Sequence, residues 1–221
     1  RMRGATGRAQ LAFALRKLLA LPPTLHPYGV WQASGGILGA TPELLFHKKG
    51  RSVRAMAMAG TRSARSDKKP LIDDHKQRGE HGLVLAFVEE ALQPFGSVVS
   101  AETRMTQLVD LEHLSTEIAL TLKDDISFDT LVMALHPTPA VGVSPRGQGD
   151  ALFRLMEQRL PRGRYCAPFG LSMPSGEGIC RVAIRNIQWQ GNELAISAGC
   201  GIVEDSQLDD EWNELLTKIA F

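Results

Sequence analysis

Two hydrophobic spacings alternate along the chain. Residues 8–21 (RAQLAFALRKLLAL) set Leu11, Leu15, Leu18 and Leu19 on one helical face, and Pro22-Pro23 stops the run. YGVWQ and then GGILGATPELLFHKKGRSVRAMAMAG break short apolar runs with glycines and turn residues, which predicts antiparallel strands. Residues 61–75 (TRSARSDKKPLIDDH) are polar and read as a surface loop. From Glu80 onward, Leu83, Val84, Phe87, Val88 and Leu92 recur at helical spacing, ending near Pro94 and Gly96. A short strand (SVVSAETRMTQL) and a helix-like run (LEHLSTEIALTL) follow. Next comes LHPTPAVGVSPRG, with three prolines and two glycines in residues 135–147, which predicts a rigid, specified loop ahead of a helix in GDALFRLMEQRL. ICRVAIRNIQW and ELAISAGCGIV, joined by Gln190-Gly191-Asn192, predict a hairpin, and DDEWNELLTKIAF predicts an amphipathic closing helix. No repeat or linker interrupts the series, so residues 1–221 read as a single α+β domain.

Composition excludes several classes of function. At 221 residues, 43% hydrophobic and 22% charged, the chain is an ordinary globular protein. A net charge of +1, spread without blocks, gives no electrostatic case for nucleic acid or an acidic membrane surface. No apolar run approaches the roughly 18 residues of a membrane span. Cys166, Cys180 and Cys200 are odd in number and lack zinc-site spacing, which fits a reducing cytoplasm.

Taken singly, the candidate residues leave alternatives open. Glu211, Glu214 and Lys218 follow i, i+3, i+7 spacing and share a helix face, which also describes a solvated face with one ion pair. Glu80 and His81 stand where a helix begins, where a carboxylate can simply interact with the helix dipole. AGCGIV (198–203) places two glycines at a strand end, either a plain turn or a close backbone approach to an anion. His136, between Leu135 and Pro137, suits a core histidine as well as an acid or base.

Their order along the chain is more specific. GATPE (39–43), AGTR (59–62), KQRGEH (76–81), HLSTEI (113–118), LHPTPAVGVSPR (135–146), GRYCAPFG (163–170), VAIR (182–185), AGCGIV (198–203) and EWNELLTK (211–218) together resemble the chorismate-utilising enzymes. That family includes anthranilate synthase component I, aminodeoxychorismate synthase component I, isochorismate synthase and salicylate synthase. The resemblance implies an antiparallel β-sheet sandwich flanked by helices, with the site in a cleft. The proline-rich loop is similar to the isochorismate synthase form, which usually has a glycine where Val143 stands. It implies addition of water at C2 of chorismate with loss of the C4 hydroxyl, yielding isochorismate for menaquinone or siderophore synthesis.

Matching motif by motif, the resemblance implies Glu43 as the acid that protonates the departing hydroxyl, and Glu80 and Glu214 as ligands of Mg2+. Thr61, Tyr165, Arg185, Gly199, Gly201 and Lys218 fall at substrate-binding positions. His136 matches a histidine beside the ring, with an orienting or polarising role. Two departures stand out. Ala167 occupies a position that is usually glycine, and Cys200 replaces a usual alanine, where it is expected to pack. Family members are about twice as long, and their water-adding branches draw a general-base lysine from a strand upstream of Arg1. Neither Lys17 nor Lys48 matches it, so the expectation is the C-terminal portion of a longer enzyme.

Overall fold

The structure, a computed structural model, describes residues 1–64 and 69–219. Its twelve strands form two antiparallel sheets. The smaller contains β1 (Met2–Ala5), β2 (His26–Trp31), β3 (Gly35–Thr41), β11 (Asn186–Gln190) and β12 (Glu193–Ile196), in the order β1-β12-β11-β3-β2. The larger contains β4 (Leu44–Lys49), β5 (Ser52–Ser63), β6 (Gly96–Ser100), β7 (Arg104–Leu108), β8 (Leu111–Leu122), β9 (Pro168–Ser172) and β10 (Gly178–Val182). Its order is β6-β8-β5-β4-β10-β9, and β7 pairs the other end of β8. The helices are α1 (Arg8–Leu19), α2 (His75–Leu92), α3 (Phe128–Leu135), α4 (Asp150–Arg159) and α5 (Leu208–Ile219). This is the expected α+β architecture. Among the described residues no helix is long and apolar enough to cross a membrane.

Each sheet buries one face against helices. Phe46, Val53, Ala55, Ala57, Ile118, Leu120 and Leu122 of the larger sheet pack with Val84, Val88 and Leu92 of α2 and Leu131 and Leu135 of α3. On the smaller sheet Leu11 of α1 meets Leu38 and Trp189. The sheets touch directly where Tyr28 of β2 packs on Phe169 of β9, ring centroids 5.0 Å apart.

Two chain segments pass from one sheet to the other, side by side. Residues 35–49 form β3 and then β4, while residues 178–190 form β10 and then β11, antiparallel to the first pair. Two backbone hydrogen bonds hold the shared corner: Ala40 N–H donates to Arg185 O and Val182 N–H to Glu43 O, both at 3.2 Å. The hairpin expected across 179–203 is thus two features. β10 belongs to the larger sheet, and only β11–β12, turning at Gly191-Asn192, is a hairpin. β1, pairing β12, had no counterpart in the sequence pattern.

Three other expectations change. LEHLSTEIALTL is strand β8, not helix. Leu111, Leu114 and Ile118 satisfy a helical period, but from Thr116 to Leu122 buried and exposed residues alternate strictly, the period of a half-buried strand. SVVSAETRMTQL is two strands, β6 and β7, laid along opposite halves of β8. The polar stretch 61–75 is only in part a loop: β5 runs to Ser63, Leu71 is buried in a 3-10 turn, and residues 65–68 lie outside the described ones. Accordingly α2 starts at His75, five residues before Glu80, with the Asp74 carboxylate accepting from Gln77 N–H at 3.1 Å. Its first turns bury Gln77 and His81 in place of aliphatic residues, so an apolar count could not detect them. The proline-rich loop is tied down as expected. Arg146 donates to the Ala134 and Pro137 carbonyls and stacks on Phe87, while Arg162 donates to the Val141 carbonyl.

The alternation in β8 gives a direct test. Leu120→Ala is expected to lower stability by about 2–5 kcal/mol, and Thr121→Ala next to it by less than about 1 kcal/mol. Urea unfolding of both variants reads the difference, and equal losses would contradict the strand.

Candidate active site

The shared corner brings two of the predicted residues together. Glu43 sits between β3 and β4, with its N–H donating to Thr41 Oγ1 at 3.2 Å, and is 5% exposed. Burial pushes its carboxyl up to about 7, against the opposing pull of Lys218 and Arg185. Arg185, on the parallel corner, takes a left-handed backbone (φ 52°), a conformation that costs a non-glycine residue energy and collects at functional sites. Tyr28 Oη donates to the Ile184 carbonyl at 2.8 Å, and Asn186 Nδ2 donates to Tyr28 Oη and to the Ala183 carbonyl. These bonds fix the backbone around Arg185. Burial lowers the guanidinium to about 10, and Glu43 and Tyr165 oppose that shift, so it stays charged at neutral pH.

Tyr165 enters from the segment before β9, where Cys166 N–H donates to Ala183 O at 2.8 Å and Ala183 N–H to Ala167 O at 2.9 Å. Cys166 is also left-handed, φ 67°. Burial raises the Tyr165 phenol, with the Cys166 thiol and the Glu43 carboxylate adding to it. A methyl added at Gly199 would lie 3.3 Å from the Tyr165 hydroxyl, so the phenol borders the 199–201 backbone. His136 caps α3 and bonds through Nε2 to the Cys166 carbonyl at 2.7 Å. A carbonyl only accepts, so Nε2 carries the proton and the ring anchors the Tyr165–Ala167 backbone. Ala167 lines an apolar cleft of about 260 Å³ with Val30, Ile37, Pro168 and Phe169.

A second cluster joins α2 to α5. Burial first, and then the nearby Glu214 carboxylate, push Glu80 up to about 7; Lys218 and Lys76 oppose. Glu214 accepts from Lys218 Nζ at 2.5 Å, and the same ammonium donates to the Gly199 carbonyl at 3.0 Å. Gly201 lets the Glu80 carboxylate lie close to the backbone: a Cβ there would stand 2.2 Å from Glu80 Oε1 and push that side chain aside. The solvated-face alternative for this helix does not hold. Glu211 is 4% exposed and bonded to Lys76.

Among the described residues no group of three or more His, Cys, Asp or Glu side chains has metal-ligand geometry. Glu80 and Glu214 are nevertheless a repelling carboxylate pair backed by a glycine and in need of positive charge. Such a donor set fits a hard divalent cation that keeps water or takes a further oxygen from a ligand. Thr61 is buried on β5, its N–H donating to Gln77 Oε1 at 2.7 Å and its hydroxyl touching His113 Nδ1 at 3.0 Å. Lys76, Gln77, His113 and Glu211 are the residues that motif matching left without roles. All four lie inside the KQRGEH, HLSTEI and EWNELLTK motifs, but only three-dimensional contact reveals their partners. Lys17 is exposed on α1 above Phe13, and Lys48 is buried against Asp125 and the Gly176 carbonyl, so neither belongs to this cleft.

Sequence and structure comparisons identify the family. A family model for chorismate binding enzymes matches residues 5–221, and the chain belongs to that family. It is 34% identical over 192 residues to the salicylate biosynthesis isochorismate synthase of Pseudomonas aeruginosa, covering 83% of this chain and 40% of that protein. It is 31% identical over 222 residues to isochorismate synthase MenF of Bacillus subtilis, covering 96% and 47%. The solved structure of MenF, the menaquinone-specific isochorismate synthase from Escherichia coli, superimposes with a TM-score of 0.80 at 26% identity, over 98% of this chain and 51% of that one. The chain therefore spans about half the length of these relatives.

Burial of Glu43 makes stability depend on pH. Below pH 4.5 the carboxyl is protonated folded or unfolded; between 4.5 and about 7 only the unfolded chain releases the proton, so stability falls as pH rises through that window. Glu43→Gln removes the penalty. At pH 8 the variant is expected to be more stable than the parent by about 1–3 kcal/mol, and at pH 4 nearly equal to it, as read by urea unfolding at both pH values.

Proposed function

We propose that the chain carries out isochorismate synthase chemistry, the Mg2+-dependent conversion of chorismate to isochorismate. One observation carries the reading: in a chorismate binding enzyme, a buried carboxyl with a pKa of about 7 faces two cations at the junction of the sheets. A hydroxide is too basic to leave unaided, and an acid poised near the working pH is what its departure requires. Glu43 gives its proton to the C4 oxygen as the C–O bond breaks, and water leaves. The oxygen of a second water forms the new bond at C2 and releases its proton to solvent, from which Glu43 is reprotonated, so substrate and product have the same composition.

The other residues bind and orient. Arg185 offers a guanidinium fork to one substrate carboxylate, with the Tyr165 hydroxyl and the Gly199 backbone beside it. Glu80 and Glu214 would hold the magnesium ion, whose bound charge offsets theirs and that of the second substrate carboxylate. Gly201 lets the backbone reach this pair without displacing Glu80. Lys218, bonded to Glu214 and to Gly199 O, joins the metal side of the cleft to the acid side. Thr61 lines the wall, and His136 holds the Tyr165 segment in register. Three unpaired thiols suit a reducing compartment, the cytoplasm.

Incubating the protein with chorismate and magnesium, with and without ammonia, and separating the products tests the proposal. Isochorismate without ammonia is expected. Anthranilate, aminodeoxychorismate or salicylate as the main product would reassign the chemistry, and saturable binding with chorismate recovered intact would make the chain a binder. Glu43→Gln is expected to bind chorismate within about threefold of the parent while kcat falls about 10²–10⁴-fold. Glu80→Ala and Glu214→Ala should abolish the response to magnesium with unchanged circular dichroism.

A further inference from the structure

His113 has no assigned role, yet it stands at the centre of a buried chain of polar contacts. It lies on β8 and is 6% exposed. Its Nε2 meets Arg185 Nη2 at 2.8 Å, and its Nδ1 meets Thr61 Oγ1 at 3.0 Å. Thr61 is in turn held through its backbone N–H by Gln77 Oε1 of α2.

The chemistry of the partners determines the state of the ring. A guanidinium donates and cannot accept, so Nε2 must present its lone pair to Arg185. The proton then sits on Nδ1, facing the Thr61 hydroxyl. Burial first, and then the charges of Arg185 and Lys218, hold the imidazole well below its ordinary pKa and keep it neutral. A protonated ring would oppose the guanidinium and lose its acceptor.

The backbone is shaped to make this contact. β5 and β8 slip register between Ala59 and Thr61, and Gly60 takes φ +73° at the slip. Such a bulge re-aims the following side chain, and here it places Thr61 directly opposite His113. A Cβ at Gly60 would come within 2.9 Å of the Gln77 carbonyl, so the glycine also lets α2 approach. The AGTR and HLSTEI motifs are thus two halves of one device.

We propose that His113 is a positioning residue that aims Arg185 at a substrate carboxylate, acting as a neutral hydrogen-bond acceptor braced by Thr61; this rests on the isochorismate synthase reading. Arg185 holds the same carboxylate in ground and transition states, so misaiming it raises KM and leaves kcat nearly unchanged.

The test uses two variants of the whole protein. His113→Leu keeps bulk and removes both polar contacts, whereas His113→Gln retains one acceptor and one donor. His113→Leu is expected to raise KM for chorismate, and its Kd by calorimetry, at least tenfold with kcat within threefold. His113→Gln should restore both to within about threefold of the parent, although the two variants lose similar amounts of thermal stability. Unchanged KM in His113→Leu, or losses in both variants that follow stability alone, would overturn the proposal. A measurement without chorismate separates this inference from the functional one: nitrogen NMR of the parent at pH 7 should show His113 neutral with its proton on Nδ1. An Nε2–H or doubly protonated ring overturns the positioning role by itself. Failure of the parent to bind chorismate, with the Nδ1–H form present, overturns the functional reading and with it the carboxylate as Arg185's target.

Discussion

The corner where two antiparallel segments change sheets together is the constraint on which the site depends. A strand that leaves a sheet abandons its hydrogen-bonding partners, and buried backbone groups cannot remain unpaired without cost. Here each segment stays bonded to the other through the change, by Ala40 N–H to Arg185 O and Val182 N–H to Glu43 O. Glu43 and Arg185 are therefore held at a depth that side-chain contacts alone would not secure. The left-handed backbone of Arg185 and that of Cys166 are tolerated because Tyr28, Asn186 and the neighbouring carbonyls over-determine the turn.

The cleft gathers groups that a stable core would avoid. Glu43, Arg185, His113, Glu80 and Glu211 are buried or nearly so, and each partly depends on another for compensation. Apolar packing in the larger sheet, α2 and α3 supplies the rigidity that keeps this charge in place. The helix bearing Glu214 is attached differently. Lys76–Glu211 and Lys218 to Gly199 O anchor α5, while Trp212 and Leu216 face outward, so its position is a matter of polar geometry more than of hydrophobic burial.

Local chemistry made much of this legible in the sequence. Proline and glycine marked the rigid loop, leucine spacing marked α1, and nine ordered motifs named the family. What misled the reading was also local. A strand such as β8, whose first apolar residues fit two periods, and a helix such as α2, whose first buried face is Gln77 and His81, give ambiguous signals to a count of hydrophobic residues.

The sequence alone thus determined which residue types were present and in what order, because capping, turn formation and hydrophobic periodicity act over a few neighbouring residues. Only the tertiary structure decided what those residues do to one another. The raised pKa of Glu43, the single acceptor that His113 presents to Arg185, and the pairing of Lys76 with Glu211 all arise between segments distant along the chain. Burial and Coulomb interaction depend on separation in space, which sequence order does not contain.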